Sequence, residues 1–427
     1  MEDNKIKLGL RENWQQFSLL LLIIGFVGGM VGMERSLLPQ LAEQEFHIAS
    51  RTAMFSFILA FGITKAITNY FTGAMANKLG RRRLLILGWV VALPIPWILM
   101  YAPSWNWIVF ANILLGLNQG LAWSTSVVMK IDLVGEKYRG LAVGLNEFGG
   151  YLAVGLVALL SANLAAAYGL RPYPFIIGIA FSVLGLFISW LFVKDTHHHV
   201  TAAAASAGEK KLLKSIFWGT TLYNRNLSSV TQAGLINNLN DSLAWGLFPL
   251  LLVSKGFNLA QVGVITGIYP AFWGLGQLFT GRLSDFIPKK VLIFWGMFLQ
   301  ALTLLLLSLA TNYTHFIILS VVLGLGKAMV YPTFTIAIAE NSHPLQRAES
   351  VGIFRFWRDS GYAIGAILTG ILTDAFGIAV AIMIIGGLTL VSALVILFRM
   401  QQAAPVNIIN AQLLTSVSGL KEKSTNR

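Results

Sequence analysis

The sequence predicts an all-α membrane protein, with twelve transmembrane helices in two pseudo-symmetric six-helix bundles. Three observations carry this. The 427 residues are 56% hydrophobic and 11% charged, with mean hydropathy +0.69. Soluble domains hold about 25% charged residues. Apolar runs near 20 residues, the length that crosses a bilayer as helix, recur along the chain. Finally, two halves repeat at an offset of 208 positions: Gly73 with Gly281, Gly116 with Gly324, Trp123 with Tyr331, Asp132 with Glu340, Arg139 with Arg347, Gly144 with Gly352. Duplication in so apolar a chain points to a membrane transporter with its site between the halves.

The predicted spans are 17–39, 53–75, 83–101, 106–130, 141–165, 173–193, 227–253, 260–280, 291–311, 315–338, 350–372 and 377–399. They divide the chain into an N-terminal bundle (1–193), a linker (194–226), a C-terminal bundle (227–399) and a tail (400–427). The formal charge of +13 is explained by topology. Only Arg51, Arg171 and Lys255 fall in gaps on one side; the clusters at 81–83, 210–214 and 289–290 all fall on the other. This positive-inside bias puts both termini in the cytoplasm, and no nucleic-acid partner is needed. The first apolar stretch is too long for a cleavable signal peptide, and no small-residue cleavage site follows it. Cysteine is absent, which excludes disulfides and thiol chemistry.

The first span carries Gly25, Gly28 and Gly29, then Glu34 and Arg35 towards its outer part. Adjacent residues project about 100° apart, so one can be a ligand and the other its counter-ion. The second span holds Lys65 at mid-depth, where an ionised side chain costs about 2.5–3.5 kcal/mol and needs a partner or water. Asp241 and Asp359 are its candidate partners. The loop after it runs Gly73 to Arg83. The fourth span places Gln119 and Trp123 on one face, and the fifth carries Asn146 and Glu147. The outer loops at 101–106 and 168–174 have turn compositions. The linker starts with His197, His198 and His199. Consecutive residues do not share a helix face, so a solvated linker is expected there and not a metal site.

The seventh span offers Asn237, Asp241 and Trp245 at intervals of four, on one face. The tenth offers Lys327 and Tyr331, again four apart. The eleventh offers Arg355, Arg358 and Asp359. Lys130, Asp132 and Glu340 are expected at helix ends, where long side chains snorkel.

The repeated loop resembles the signature of the major facilitator superfamily, Gly-x-x-x-Asp-Arg/Lys-x-Gly-Arg-Arg/Lys. Gly73, Lys78, Gly80, Arg81 and Arg82 match it; Asn77 stands in the Asp position. The second copy keeps Gly281, Asp285, Lys289 and Lys290. The resemblance covers essentially the whole chain. It implies that Asn77, Arg81 and Asp285 help latch the cytoplasmic ends, and that helices one, four, seven and ten surround a cavity. Phe61-Gly62-Ile63-Thr64-Lys65 also resembles the Tyr-Gly-x-Ser-Lys stretch of organophosphate:phosphate antiporters, whose lysine belongs to an anion-binding cavity. Gly149-Gly150 lacks the preceding proline of the drug-antiporter signature.

The resulting expectation is a secondary transporter in a bacterial inner membrane, working as a monomer by alternating access. It would move a small polar solute, an organic or phosphorylated anion, with proton coupling. Arg35, Lys65, Gln119, Trp123, Asn237, Asp241, Trp245, Lys327 and Tyr331 are the candidate substrate-binding residues; Glu34 and Asp241 are the candidate proton carriers. Arg355 or Arg358 should pair with an N-half acid, and Glu147 with a C-half base, to gate the cytoplasmic side. Pseudo-symmetry is expected to place Glu147 and Arg355 on opposite sides of the assembly. The alternatives are a proton-driven exporter of amphipathic or cationic compounds and a non-transporting membrane sensor on the same fold. No glycine loop for ATP phosphates, no cofactor motif and no metal or nucleophile constellation is visible.

Overall fold

A computed structural model describes residues 7–35, 37–48, 56–136, 138–205, 212–257 and 259–401. Among the described residues every regular element is helical. Twelve long helices are present among the described residues. They are α1 (Trp14–Arg35), α2 (Ser56–Leu79), α3 (Arg81–Tyr101), α4 (Trp105–Asn118, Gln119–Trp123 and Ser124–Val134), α5 (Arg139–Tyr168) and α6 (Tyr173–Leu191), then α7 (Arg225–Ser254), α8 (Leu259–Leu283), α9 (Lys289–Leu307), α10 (Tyr313–Asn341), α11 (Arg347–Phe376) and α12 (Ile378–Arg399). They agree with the predicted spans to within a few residues.

Seven described helices are long and apolar enough by themselves to cross a bilayer: α1, α3, α5, α6, α9, α10 and α12. The other five are more polar or interrupted. α4 is cut by a π-helical turn, Gln119–Trp123, and α7 carries Asn237, Asn238, Asn240 and Asp241. Such helices give up apolarity because they face other protein or a cavity. α3 breaks at Leu93, where Pro94 and Pro96 lack N–H donors. α10 keeps Pro332 inside its run, which deprives the carbonyl of Ala328 of its helical donor. The Thr280 hydroxyl on α8 donates to that carbonyl at 2.6 Å, so α8 and α10 are tied together at the kink.

The halves meet along α2/α11 and α5/α8. At the end carrying the basic loops the contact is backbone on backbone. A Cβ added at Gly73 would stand 2.6 Å from Ala348 O, and one at Gly352 would stand 2.6 Å from Asn69 O. At Gly140 it would stand 2.4 Å from Gly281 O, and at Gly281 2.6 Å from the Gly144 Cα. Only glycine allows this approach.

The same helix faces tell a different story towards the other end. Gly62 lies about three turns from Gly73, Gly155 about three from Gly144, Gly267 about four from Gly281 and Gly370 about five from Gly352. A Cβ at any of these four would meet nothing within 4 Å. The two halves are therefore closed at the basic end and splayed at the opposite end.

The linker was expected to be solvated, but parts of it dock. Asp195 caps α3 by accepting from Arg82 N at 2.9 Å. The helix His197–Ala205 buries Val200, and His199 Nε2 lies 3.2 Å from Asn13 Oδ1. Leu213 exchanges backbone bonds with the Gln346 amide at 2.9 and 3.0 Å. The Asp195 contact satisfies a backbone N–H left free in the first turn of α3.

Candidate functional site

The centre of the molecule is an aromatic layer crossing between the halves. Trp123 of α4, Tyr151 of α5, Trp273 of α8 and Tyr331 of α10 form it. Ring centroids are 5.3 Å apart for Trp123–Tyr151, 4.6 Å for Tyr151–Trp273 and 5.2 Å for Trp273–Tyr331. The Tyr151 and Tyr331 hydroxyls are 2.8 Å apart and join N-half to C-half.

Cations cover the ring faces. Lys327 Nζ stands 4.6 Å over Trp273 and 5.8 Å over Tyr331; Arg358 stands 5.0 Å over Tyr331; Lys65 stands 5.8 Å over Trp123. Each cation also has a carboxylate. Lys327 pairs with Asp241, both fully buried, and the Tyr269 hydroxyl donates to the same Asp241 oxygen. Lys65 lies 3.9 Å from Asp359, and Arg358 Nε donates to Asp359 at 2.7 Å. Asn69 donates to Asp359 at 2.8 Å and Asn238 at 3.3 Å. In a low-dielectric interior such pairs persist only because these hydrogen bonds supplement the charge attraction.

The sequence candidates divide as follows. Lys65, Trp123, Asp241, Lys327 and Tyr331 come together at the layer. Asn237 sits one turn from Asp241 and donates to Asn238 at 3.1 Å. Gln119 instead donates to the Val27 carbonyl at 2.8 Å, holding the π-turn of α4 against α1. Glu34 is buried and accepts from Asn112 at 3.4 Å. Arg35 and Trp245 lie on α1 and α7, but their side chains are outside the described residues.

Two of the layer's rings were missed, although a signal for them existed. Trp273 is the 208-offset equivalent of Lys65, and Tyr151 is the equivalent of Asp359. Each therefore occupies, in its own half, the position of a charged group already suspected in the other half.

Below the layer lies the closed seam. Arg355 of α11 reaches Glu147 of α5, with Nη2 3.5 Å from Oε1, and donates to Ser124 at 3.0 Å. Arg355 thus has the N-half acid expected of it, and that acid is Glu147. The two were expected on opposite sides of the assembly. They are equivalent under the pseudo-two-fold, and equivalents close to the axis meet across it. Asp285 accepts from Gly140 N at 2.7 Å and Leu141 N at 3.1 Å, so it caps the N-terminus of α5 from the other half. A carboxylate is favoured there by the free N–H groups and the helix dipole. Asn77, in the equivalent place, donates to the Leu345 carbonyl and accepts from Arg81 Nη1 at 3.1 Å. One latch is therefore charged and the other neutral.

Asp132 and Lys130 do not snorkel. Asp132 is buried between Arg81 at 3.1 Å and Arg347, from the other half, at 3.6 Å. Lys130 is fully buried and donates to Leu20 O, Ser126 and Asn146 at 2.7–2.8 Å. The linker and the packed seam cover this end of α4, so neither side chain has water to reach. Glu340, half-exposed, pairs with Lys289 at 2.8 Å as an end residue should.

Comparison with known proteins agrees with this architecture. The Major Facilitator Superfamily profile matches residues 19–230 and 230–426, once per half. The proton-coupled antiporter flippase LtaA of Staphylococcus saprophyticus is 24% identical over 372 residues, covering 83% of this chain and 86% of that protein. The multidrug resistance protein MdtG of Salmonella choleraesuis is 24% identical over 353 residues, covering 79% and 83%. The solved structure of the proton:xylose symporter XylE superposes with TM-score 0.74 at 14% identity, over 91% of this chain and 97% of that one. With one profile match in each half and the helices arranged as two bundles about a central layer, this chain belongs to the major facilitator superfamily of membrane transporters.

Proposed function

We propose that the protein is a proton-coupled transporter of small organic anions that carry an apolar part. One arrangement supports this reading most: buried Lys327 and partly buried Lys65 flank an aromatic layer at the meeting of the halves. The rings offer a surface for an apolar body, and the ammonium groups offer the charge for a carboxylate or phosphate. The cationic-substrate alternative is disfavoured by the same geometry. A cation would bind on ring faces, and the protein's own Lys65, Lys327 and Arg358 already occupy them. The names of LtaA, a proton-coupled antiporter flippase, and MdtG, a multidrug resistance protein, bring proton coupling into consideration.

The positive-inside distribution assigns the closed, basic end to the cytoplasm. The conformation is then open to the outside, both termini are cytoplasmic, and the protein resides in the plasma membrane. An anion arriving from the open side competes with Asp241 for Lys327. A displaced Asp241 is a buried carboxylate without its cation, and it takes a proton. Anion and proton thus load together. Glu34 is the second carboxylate at cavity depth able to exchange a proton.

A thermal-shift screen of the purified protein tests the substrate class. Amphipathic carboxylates and phosphate esters should raise Tm at concentrations where amines of the same shape do not. The shift should disappear in Lys65→Gln. The reverse ranking would favour the exporter of cationic compounds.

A further inference from the structure

A water-exposed loop would not carry the surface of the stretch leading into α7. That stretch is a helical turn, Ile216–Trp218, followed by the π-helical turn Gly219–Tyr223. Trp218 is 49% exposed, Leu222 51% and Tyr223 76%. Lys214 and Arg225 flank them and are also exposed. Arg399 of α12 donates to the Leu222 carbonyl at 2.7 Å. No Asp or Glu occurs between residues 210 and 240. The surface is therefore aromatic and cationic. Trp14 at the start of α1 and Trp190 near the end of α6 are exposed at the same, basic end. Tryptophan and tyrosine gathered at helix ends on one side of a membrane protein mark the headgroup level. The stretch thus lies in the interface and not in water.

The same stretch touches both halves. Trp357 Nε1 of α11 donates to Thr221 Oγ1 at 3.1 Å, which ties it to the C-half. Phe217 meets the N-half: its ring lies 5.8 Å from that of Tyr70 on α2, edge to face at 88°. Tyr70 lies 6.3 Å from Phe356 of α11 as well. Gly73, whose close approach to the Ala348 carbonyl helps define the closed seam, is in the next turn of α2. When the basic end opens, α2 leaves α11, and Tyr70 leaves Phe217.

We propose that this stretch is a docking surface for anionic lipid headgroups, and that lipid held there keeps the basic end closed. The exposed rings seat at the headgroup level, while Lys214 and Arg225 attract the phosphates. Arg225 is the first residue of α7, where the helix dipole by itself disfavours a cation and favours an anion. An anionic headgroup beside it satisfies both. Docked on lipid, the stretch holds Phe217 in place for Tyr70, and that contact belongs to the closed form. A ligand that binds one form better shifts the balance towards it. One aromatic pair carries enough for a shift of about two- to tenfold. This role is independent of the solute carried and of proton coupling; it needs only the basic end to face the cytoplasmic leaflet.

The test uses the full chain in lipid nanodiscs. The parent has no cysteine, so paired spin labels can be placed across the basic ends of α2 and α11 without background. Electron-spin distances give the ratio of closed to open forms in phosphatidylcholine alone and with phosphatidylglycerol added. Phosphatidylglycerol should raise the closed form about two- to tenfold, and high salt should remove the gain. Phe217→Ala should abolish the response. Tyr70→Leu, on the other side of the contact, should do the same, which covers the case in which the first variant folds poorly. Lys214→Gln with Arg225→Gln should keep the parent's ratio in phosphatidylcholine and lose most of the response. A parent ratio equal in both lipids overturns the proposal and leaves the surface to a protein partner. A full response in both Phe217→Ala and Tyr70→Leu also overturns it, because the lipid would then act elsewhere.

Discussion

Replacing Lys327 with glutamine should destabilise the protein by about 3–5 kcal/mol, the usual cost of leaving one member of a buried ion pair alone. Lys327 and Asp241 are both 0% exposed. Without the ammonium, Asp241 keeps only the Tyr269 hydroxyl among the described residues, and either holding a bare charge in the interior or taking up a proton at neutral pH costs stability. Replacing both, as Lys327→Met with Asp241→Leu, removes the two charges together. Stability should then return to within a few kcal/mol of the parent or exceed it. Anion binding should stay lost in the double variant, because the cation over Trp273 is gone. Thermal unfolding in detergent and ligand-induced Tm shifts measure the two effects independently. If the single variant is as stable as the parent, the pair is not buried as described.

The second large effect concerns the seam. Gly281→Ala places a Cβ 2.6 Å from the Gly144 Cα, and Gly73→Ala places one 2.6 Å from the Ala348 carbonyl oxygen. Both obstacles are backbone and cannot rotate away. Overpacking of this kind costs about 1–3 kcal/mol. The cost applies to the closed basic end alone, because separated helices leave room. The equilibrium should therefore move roughly 5- to 150-fold towards the form open at the basic end. Gly155→Ala and Gly267→Ala lie on the same helix faces in open space and should not move it. Accessibility of single cysteines introduced on α5 and α11 near the basic end reads the shift. Equal labelling in all four variants would mean that the glycine contacts do not define the gate.

These contacts also explain what was legible in the sequence. The 208-residue repeat and the apolar runs determine twelve helices and two bundles, because membrane helices must be long, apolar and hydrogen-bonded within themselves. Lys65, Asp241 and Lys327 stood out because a charge at mid-span is costly and so needs a purpose. Trp273 and Tyr151 did not stand out. Aromatic residues are cheap in a membrane, and only their equivalence to Lys65 and Asp359 marks them. Asp132 and Lys130 misled for a related reason. Sequence depth placed them near a helix end, but a docked linker and a closed seam bury that end. Which carboxylate meets which cation across the seam depends on distance from the pseudo-two-fold axis, and no spacing along the chain encodes that distance. Hence Glu147 and Arg355, assigned to separate partners, prove to be each other's.

The coupling of anion to proton is the central claim, and proton movement in proteoliposomes tests it most directly. Purified protein is reconstituted with a pH-sensitive dye inside, and a gradient of an amphipathic carboxylate that stabilises the protein is imposed from outside. Inward anion movement should acidify the lumen, and Asp241→Asn should still bind the anion without moving protons. Lumen alkalinisation on anion entry, anion flux with no proton movement in the parent, or undiminished acidification in Asp241→Asn would contradict the account.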